Sequence, residues 1–298
     1  MVIFTFKIVE TFEFLFIYSG SKGCGMSTMP NDIAVFLLQA KGIDLFKYED
    51  FFLDKSIHDR IVETQCGSRE AYFTILKQNQ EEGQHFVDSL RISYSEFFRN
   101  PITYGFLERI ILPALFLKKQ NIHGKEIRVW CAACAAGQEA YSLAILMKEF
   151  NIVNKGKFRY RIFASDQDGF QVMQAQKGRY TSGALNNMNL KRLTQWFDKN
   201  RESYTVKQEL KENIDFSVLD LFNEQLSCPP ASIFGDFDLV ICANLLFYYK
   251  NAYKSQILEK IGKCMSKSSY LVTGETERDI LFRNQFREVF PQSAIFQQ

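Results

Sequence analysis

Asp166 ends an apolar run over residues 160–165 (YRIFAS), 29 positions after Gly137 closes a turn of six small residues at 132–137. A carboxylate placed there can accept two charge-assisted hydrogen bonds from neighbouring hydroxyls, which is how α/β folds grip a ribose. The turn has almost no side chains, so backbone can approach a ligand closely. It does not read G-x-G-x-x-G, and no basic residue sits in it to face a pyrophosphate. The pattern points away from a dinucleotide and toward an adenosine-type ligand without phosphate, of which S-adenosylmethionine is the commonest. The other reading of Asp166 is a cap on a helix beginning near Gly169, and a cap and a ligand contact are compatible.

The elements around these residues alternate. Residues 127–131 (IRVWC) read as a strand buried on both faces. Gln138 and Glu139 then open a helix carrying Tyr141, Leu143, Ala144 and Met147. Strand, small turn and helix build a pocket at the carboxyl end of a first strand. Further strands are expected at 214–219, ending on Asp220-Leu221-Phe222, at 237–242, ending on Ala243-Asn244, and at 270–274. Between the last two, Ile257, Leu258, Ile261 and Met265 mark one face of a helix. Five strands alternating with helices predict a Rossmann-like α/β sheet, mostly parallel, with helices on both faces. Within a polar stretch between Gly178 and Asn213, residues 203–206 and 213–214 are expected to pair as short antiparallel strands, a small β excursion over about 180–213.

The chain before the sheet reads as helical. Asn31 and Asp32 can cap a helix bearing Ile33, Phe36, Leu37 and Ala40, which Gly42 ends. Leu53, Ile57 and Ile61 share a helix face, with Lys55, His58 and Arg60 on others. Residues 68–77 and 80–90 read as shorter helices, and 101–116 as a helix linking two domains. The segment Ser95-Glu96-Phe97-Phe98-Arg99-Asn100-Pro101 sets an arginine between an aromatic pair and a proline, either a helix boundary with a solvated Arg or a site residue. The expected domains are an extension at 1–29, a helical domain with its linker helix at 30–120, and a ligand-binding α/β domain at 121–298.

Composition narrows the function classes. The 298 residues are 46% hydrophobic with 29 Phe, ample for a core, and the net charge of +2 gives no nucleic-acid footprint. Seven scattered cysteines suit a reducing, cytoplasmic compartment. Cys131-x-x-Cys134 has no second pair and no nearby His, so both read as small residues lining the turn, and no metal is expected. Residues 1–19 are rich in Phe and Ile, but Lys7, Glu10 and Glu13 interrupt them, so neither a membrane span nor a signal peptide is expected. Residues 1 to about 25 read as an appendage from an upstream start codon. G-x-S-x-G and P-loop patterns are absent, which speaks against a hydrolase or nucleotide-phosphate role.

Five colinear motifs then carry a family resemblance. They are Ser95-Glu96-Phe97-Phe98-Arg99; Trp130 to Ser142; Ala164-Ser165-Asp166-Gln167-Asp168, followed by Gly178-Arg179-Tyr180; Phe237 to Tyr249; and Gly274 to Glu277. Together they span roughly residues 37–277, and the chain resembles the CheR-type chemotaxis receptor methyltransferases. The resemblance implies S-adenosylmethionine as cofactor, S-adenosylhomocysteine as product, and esterification of glutamate side chains of a chemoreceptor or related signalling protein. It implies catalytic roles for Arg99 and Tyr248. It places Ser95, Arg99, Ala135, Gly137, Glu139 and Asp166 at the cofactor, with Asp220 and Leu221 near the adenine and Asn244 near the methyl group. It also matches the excursion to a subdomain that some members dock on a receptor tail, and the Lys55–Arg60 face to one that meets the receptor, a solvated face being the other reading. A monomer with no nucleic-acid partner is expected. Ala243, Gln138, Ala140 and Asp220 stand where the family has Arg, Glu, Pro and Asn, which bears on cofactor affinity. Two other readings stay open: a same-fold methyltransferase for another carboxylate, and a non-catalytic module that senses S-adenosylmethionine.

Overall fold

The structure is a computed structural model that describes residues 29–90, 94–120, 126–232 and 234–298. The amino-terminal appendage expected over residues 1 to about 25 lies outside them. Four helices come first: α1 (Met29–Lys41), α2 (Asp50–Thr64), α3 (Arg69–Gln78) and α4 (Gln80–Ser89). The chain is already helical at Met29, so Asn31 and Asp32 lie inside the first turns and do not cap them. Gly42 does stop α1, at a φ of 67° that a residue with a Cβ adopts poorly. Ser68 and Asn79 cap α3 and α4 through their side-chain oxygens.

The linker segment forms α5 (Pro101–Phe106), a π-helical turn (Leu107–Ile111) and α6 (Leu112–Gln120). The α/β part follows as β1 (Ile127–Ala132), α7 (Gln138–Val153), β2 (Tyr160–Asp166), α8 (Gly169–Lys177), β3 (Arg179–Thr181), α9 (Leu190–Trp196), β4 (Phe197–Asn200), β5 (Ser203–Val206), α10 (Gln208–Lys211), β6 (Ile214–Val218), β7 (Phe237–Ile241), α11 (Asn251–Cys264), β8 (Met265–Val272), α12 (Arg278–Arg283), β9 (Arg287–Glu288) and β10 (Ile295–Gln297). Seven strands make the main sheet in the order β6-β2-β1-β7-β8-β10-β9. The first five are parallel, and β10 runs antiparallel to both its neighbours. The strand order reverses between β1 and β7, and ligands of open α/β sheets bind outside the carboxyl ends at such a point.

Two further expectations are corrected. Ser203–Val206 pairs with β3 and β4, not with residues 213–214. Its partner β4 lies two residues away across Arg201-Glu202, a hairpin with little loop-closure cost, while Ile214 starts a main-sheet strand in register with Ile162. Met265 begins β8 and is not on the preceding helix, which ends at Cys264. Of the Lys55–Arg60 face, Arg60 is held by Glu82 of α4 at 2.6 Å and also pairs with Glu63, while Lys55 pairs with Asp59. Arg60 is bound within the helical domain by the buried Glu82 carboxylate, while Lys55 and His58 of the same helix are exposed.

Two cores form, one on each sheet face. One unites α5–α7 and the excursion with residues such as Val129, Ile162 and Leu239. The other unites the four amino-terminal helices with Trp130, Phe163 and Val240. The amino-terminal helices are therefore fused to the sheet: Tyr48 stacks on Tyr249 at 5.1 Å, Glu49 N donates to Tyr248 O, and Lys250 N donates to Lys47 O. Cys131 and Cys134 are buried free thiols inside these cores, as small-residue packing predicts.

Gly137 carries the strictest packing constraint. Its φ is 89°, and a Cβ there would lie 2.8 Å from the Ala175 Cβ of α8. Gly137→Ala is expected to cost about 2–4 kcal/mol from left-handed strain and overpacking together. Urea unfolding against wild type measures this, and an unchanged midpoint would contradict it.

Candidate active site

The small-residue turn after β1 is strained in a regular way. Ala133, Ala135 and Gly137 have φ of 65°, 46° and 89°. Each alanine in the left-handed region costs about 1–2 kcal/mol. Asp166, buried at the end of β2, stabilises the turn: one carboxylate oxygen accepts from Ala135 N at 2.8 Å and the other from Asp168 N at 2.9 Å. Asp168, not Asp166, caps α8, accepting from Phe170 N. Asp166 still faces a narrow cleft that it shares with Asp220, Leu221, Phe222 and Tyr249.

The opposite wall follows β7. Asn244 sits at φ 60°, and Glu277 holds its loop. This carboxylate is fully buried and accepts five hydrogen bonds, from the amides of Asn244, Leu246, Phe247 and Gly274 and from the Thr273 hydroxyl. Gly274 has no room for a side chain, since a Cβ would meet Asn244 Nδ2 at 2.5 Å.

A third wall comes from the segment before α5 and from α5 itself. Ser95, Arg99, Asn100, Thr103, Tyr104 and Leu107 line a larger cavity of about 230 Å³ with Ala135, Glu139, Ala243 and Asn244. The Arg99 guanidinium lies over the Tyr94 ring at 5.2 Å. Glu139 Oε1 is buried without a hydrogen-bond partner, as is Asn100 Nδ2. Burial pushes the Glu139 carboxyl up to about 8, Arg99 pulling it down and Glu277 pushing it further up. A buried acceptor with no donor is costly, and an ammonium such as the one on a methionine tail would satisfy it. The two cavities share Ala133 and Leu245, so they are halves of one cleft.

Of the residues singled out in the sequence, Ser95, Arg99, Ala135, Glu139 and Asn244 line the larger half, and Asp166, Asp220 and Leu221 the smaller. Gly137 and Tyr248 line neither. Gly137 serves the close approach of α8. Tyr248 packs on Phe52 of α2 at 4.7 Å, within electrostatic reach of Arg99, and burial pushes its hydroxyl up. Four further residues were given no site role in the sequence: Asn100, Thr103, Tyr104 and Glu277. Asn100 caps the proline-marked helix start and Thr103 and Tyr104 follow at i+3 and i+4, a polar stripe that is the signal that could have found them. Glu277 lay in a recognised motif, but spacing alone gives no hint of the five donors around it.

Comparison with known proteins bears on this cleft. The family description "CheR methyltransferase, SAM binding domain" matches residues 93–295, and "CheR methyltransferase, all-alpha domain" matches residues 31–90. A chemotaxis protein methyltransferase of Borreliella burgdorferi is 31% identical over 64% of this chain and 66% of its own length. Chemotaxis protein methyltransferase 1 of Pseudomonas aeruginosa is 29% identical over 82% of this chain and 87% of its own. The chemotaxis protein methyltransferase of Salmonella typhimurium is 29% identical over 73% and 71%.

Two outcomes follow from the buried carboxyls. Glu139 near 8 is mostly protonated at pH 6 and must lose that proton to pair with an ammonium. Affinity for S-adenosylhomocysteine should therefore rise from pH 6 to 7.5 by up to about tenfold per unit. In Glu139→Gln, calorimetry should find weaker binding with that slope gone; an unchanged slope contradicts the role. Glu277→Ala should lower stability by about 3 kcal/mol or more through stranded donors, and thermal melts at wild-type temperature would refute this.

Proposed function

The chain belongs to the CheR methyltransferase family, and from that premise we propose that it esterifies a glutamate side chain of a chemoreceptor with the methyl group of S-adenosylmethionine. The observation that carries the reading is the meeting of a cation and an unsatisfied carboxyl in one cavity. Arg99, a cation, and Glu139, a buried carboxyl with one oxygen lacking a hydrogen-bond partner, line the same 230 Å³ space. The first suits a carboxylate acceptor and the second a cofactor ammonium.

When bound, S-adenosylmethionine supplies a sulfonium methyl whose C–S bond breaks as the acceptor's carboxylate oxygen bonds to the carbon. A glutamate is already ionised at neutral pH, its ordinary pKa being about 4.3, so no strong general base is needed. Catalysis is then positioning and exclusion of water. Arg99 orients the acceptor carboxylate. Glu139 would hold the cofactor's amino-acid end and Asp166 its ribose, with Asp220 and Leu221 near its base. Glu277, by holding the Asn244 backbone, would keep Asn244 near the methyl group. Tyr248, clamped by Phe52 of α2, adds a hydroxyl on the Arg99 side.

Two measurements test this. Chemoreceptor membranes from a bacterium lacking its own methyltransferase, incubated with methyl-tritiated S-adenosylmethionine, should take up label that mild base releases as methanol; base-stable label or none contradicts the reading. Arg99→Ala should bind S-adenosylhomocysteine within about threefold of wild type while turnover falls about 100-fold or more. Undiminished turnover would remove Arg99 from the mechanism.

A further inference from the structure

We infer that Arg192, on the β excursion, is a positioning residue for Arg99: it clamps the strained backbone that aims the Arg99 side chain into the cleft. The inference rests on the role proposed for Arg99. Phe98, next to Arg99, has a φ of 50°, in the left-handed region that a bulky side chain disfavours. It holds that conformation because it is gripped from several sides. Its amide donates to Ser142 Oγ of α7 at 3.1 Å, and its ring meets Tyr104 at 5.1 Å. The Arg192 guanidinium lies 4.9 Å from the ring centre.

Arg192 is itself fixed in place. Its side chain is 14% exposed, its guanidinium binds both oxygens of Glu149 at 2.7–3.2 Å, and it reaches Glu108 at 2.9 Å. Glu149 is shared with Trp196 Nε1 at 3.0 Å. Glu108 lies in the π-helical turn that also carries Leu107 of the cavity wall. A planar fork can bind one carboxylate bidentately, reach a second and stack on a ring at once; a lysine cannot.

The neighbouring residues point the same way. Phe97 is wedged edge-on between Tyr180 of β3 at 4.9 Å and Phe197 of β4 at 5.5 Å. Glu96 accepts from Asn187 at 3.0 Å. Residues 96, 97 and 98, the three that precede Arg99, therefore each touch the excursion. Lost grip on Phe98 would let it relax toward ordinary backbone, turning Arg99 away from the acceptor while the Asp166 half of the cleft stays intact.

The test is a double-mutant cycle in the tritium-transfer assay, with chemoreceptor membranes as acceptor and saturating cofactor. Arg192→Lys should lower kcat about tenfold, with S-adenosylhomocysteine affinity within twofold and the melting temperature near wild type. On an Arg99→Ala background the same change should cost nothing further. Losses that multiply in the double variant, or a wild-type kcat in Arg192→Lys, overturn the inference. Full turnover in Arg99→Ala alone overturns the Arg99 premise instead. Should Arg192→Lys fail to fold, Glu108→Gln, at an exposed carboxylate, goes through the same cycle, and additivity there is equally contradictory.

Discussion

The 2.8 Å bond from the Ala135 amide to the Asp166 carboxylate is the constraint on which the cleft depends. It ties the turn after the first strand to the end of the second. Two left-handed alanines in that turn are unfavourable by about 1–2 kcal/mol each. Hydrogen bonds to a charged group contribute roughly 1.5–3 kcal/mol each, so the carboxylate offsets the strain. The turn in turn fixes where α7 begins, and with it Glu139. One aspartate thus ties the narrow half of the cleft, which it lines, to the half lined by Glu139.

The same device recurs across the topological switch. Glu277 gathers the amides after β7 and β8 much as Asp166 gathers those after β1 and β2. In a parallel sheet the carboxyl ends leave loops with unpaired amides on one edge, and buried acids are an economical way to satisfy several at once. The amino-terminal helices support the arrangement from outside, since Glu49 N holds Tyr248 O and Tyr48 stacks on Tyr249. Helical domain, sheet and excursion each supply one wall or the brace behind it.

Much of this was legible in the residues. Asp166 stood out because an acid ends an apolar strand, and burial on both faces made β1, β2 and β7 near-continuous apolar runs. The antiparallel β9 and β10 were not legible: at two and three residues they are too short to show a period. The excursion was located but mispaired, because Ser203–Val206 has no burial alternation to choose a partner and the hairpin geometry decided it. Asp166 was the candidate cap, and only the amide geometry shows that Asp168 is the cap while Asp166 serves the turn. Glycine in the turn suggested ligand approach; at Gly137 the close neighbour is α8. Local pattern identifies elements, whereas the donors converging on a buried acid come from loops far apart in sequence.

The central claim is that Asp166 organises a cofactor site of this chemistry. Calorimetric titration with S-adenosylhomocysteine, on wild type and on Asp166→Asn, tests it most directly. Asparagine keeps one acceptor for an amide but loses the charge and the second acceptor for the diol. The account predicts one-to-one binding by wild type and a loss of about 100-fold or more in Asp166→Asn, with the melting temperature also lowered. Binding of equal strength by both proteins, or by neither, would contradict it.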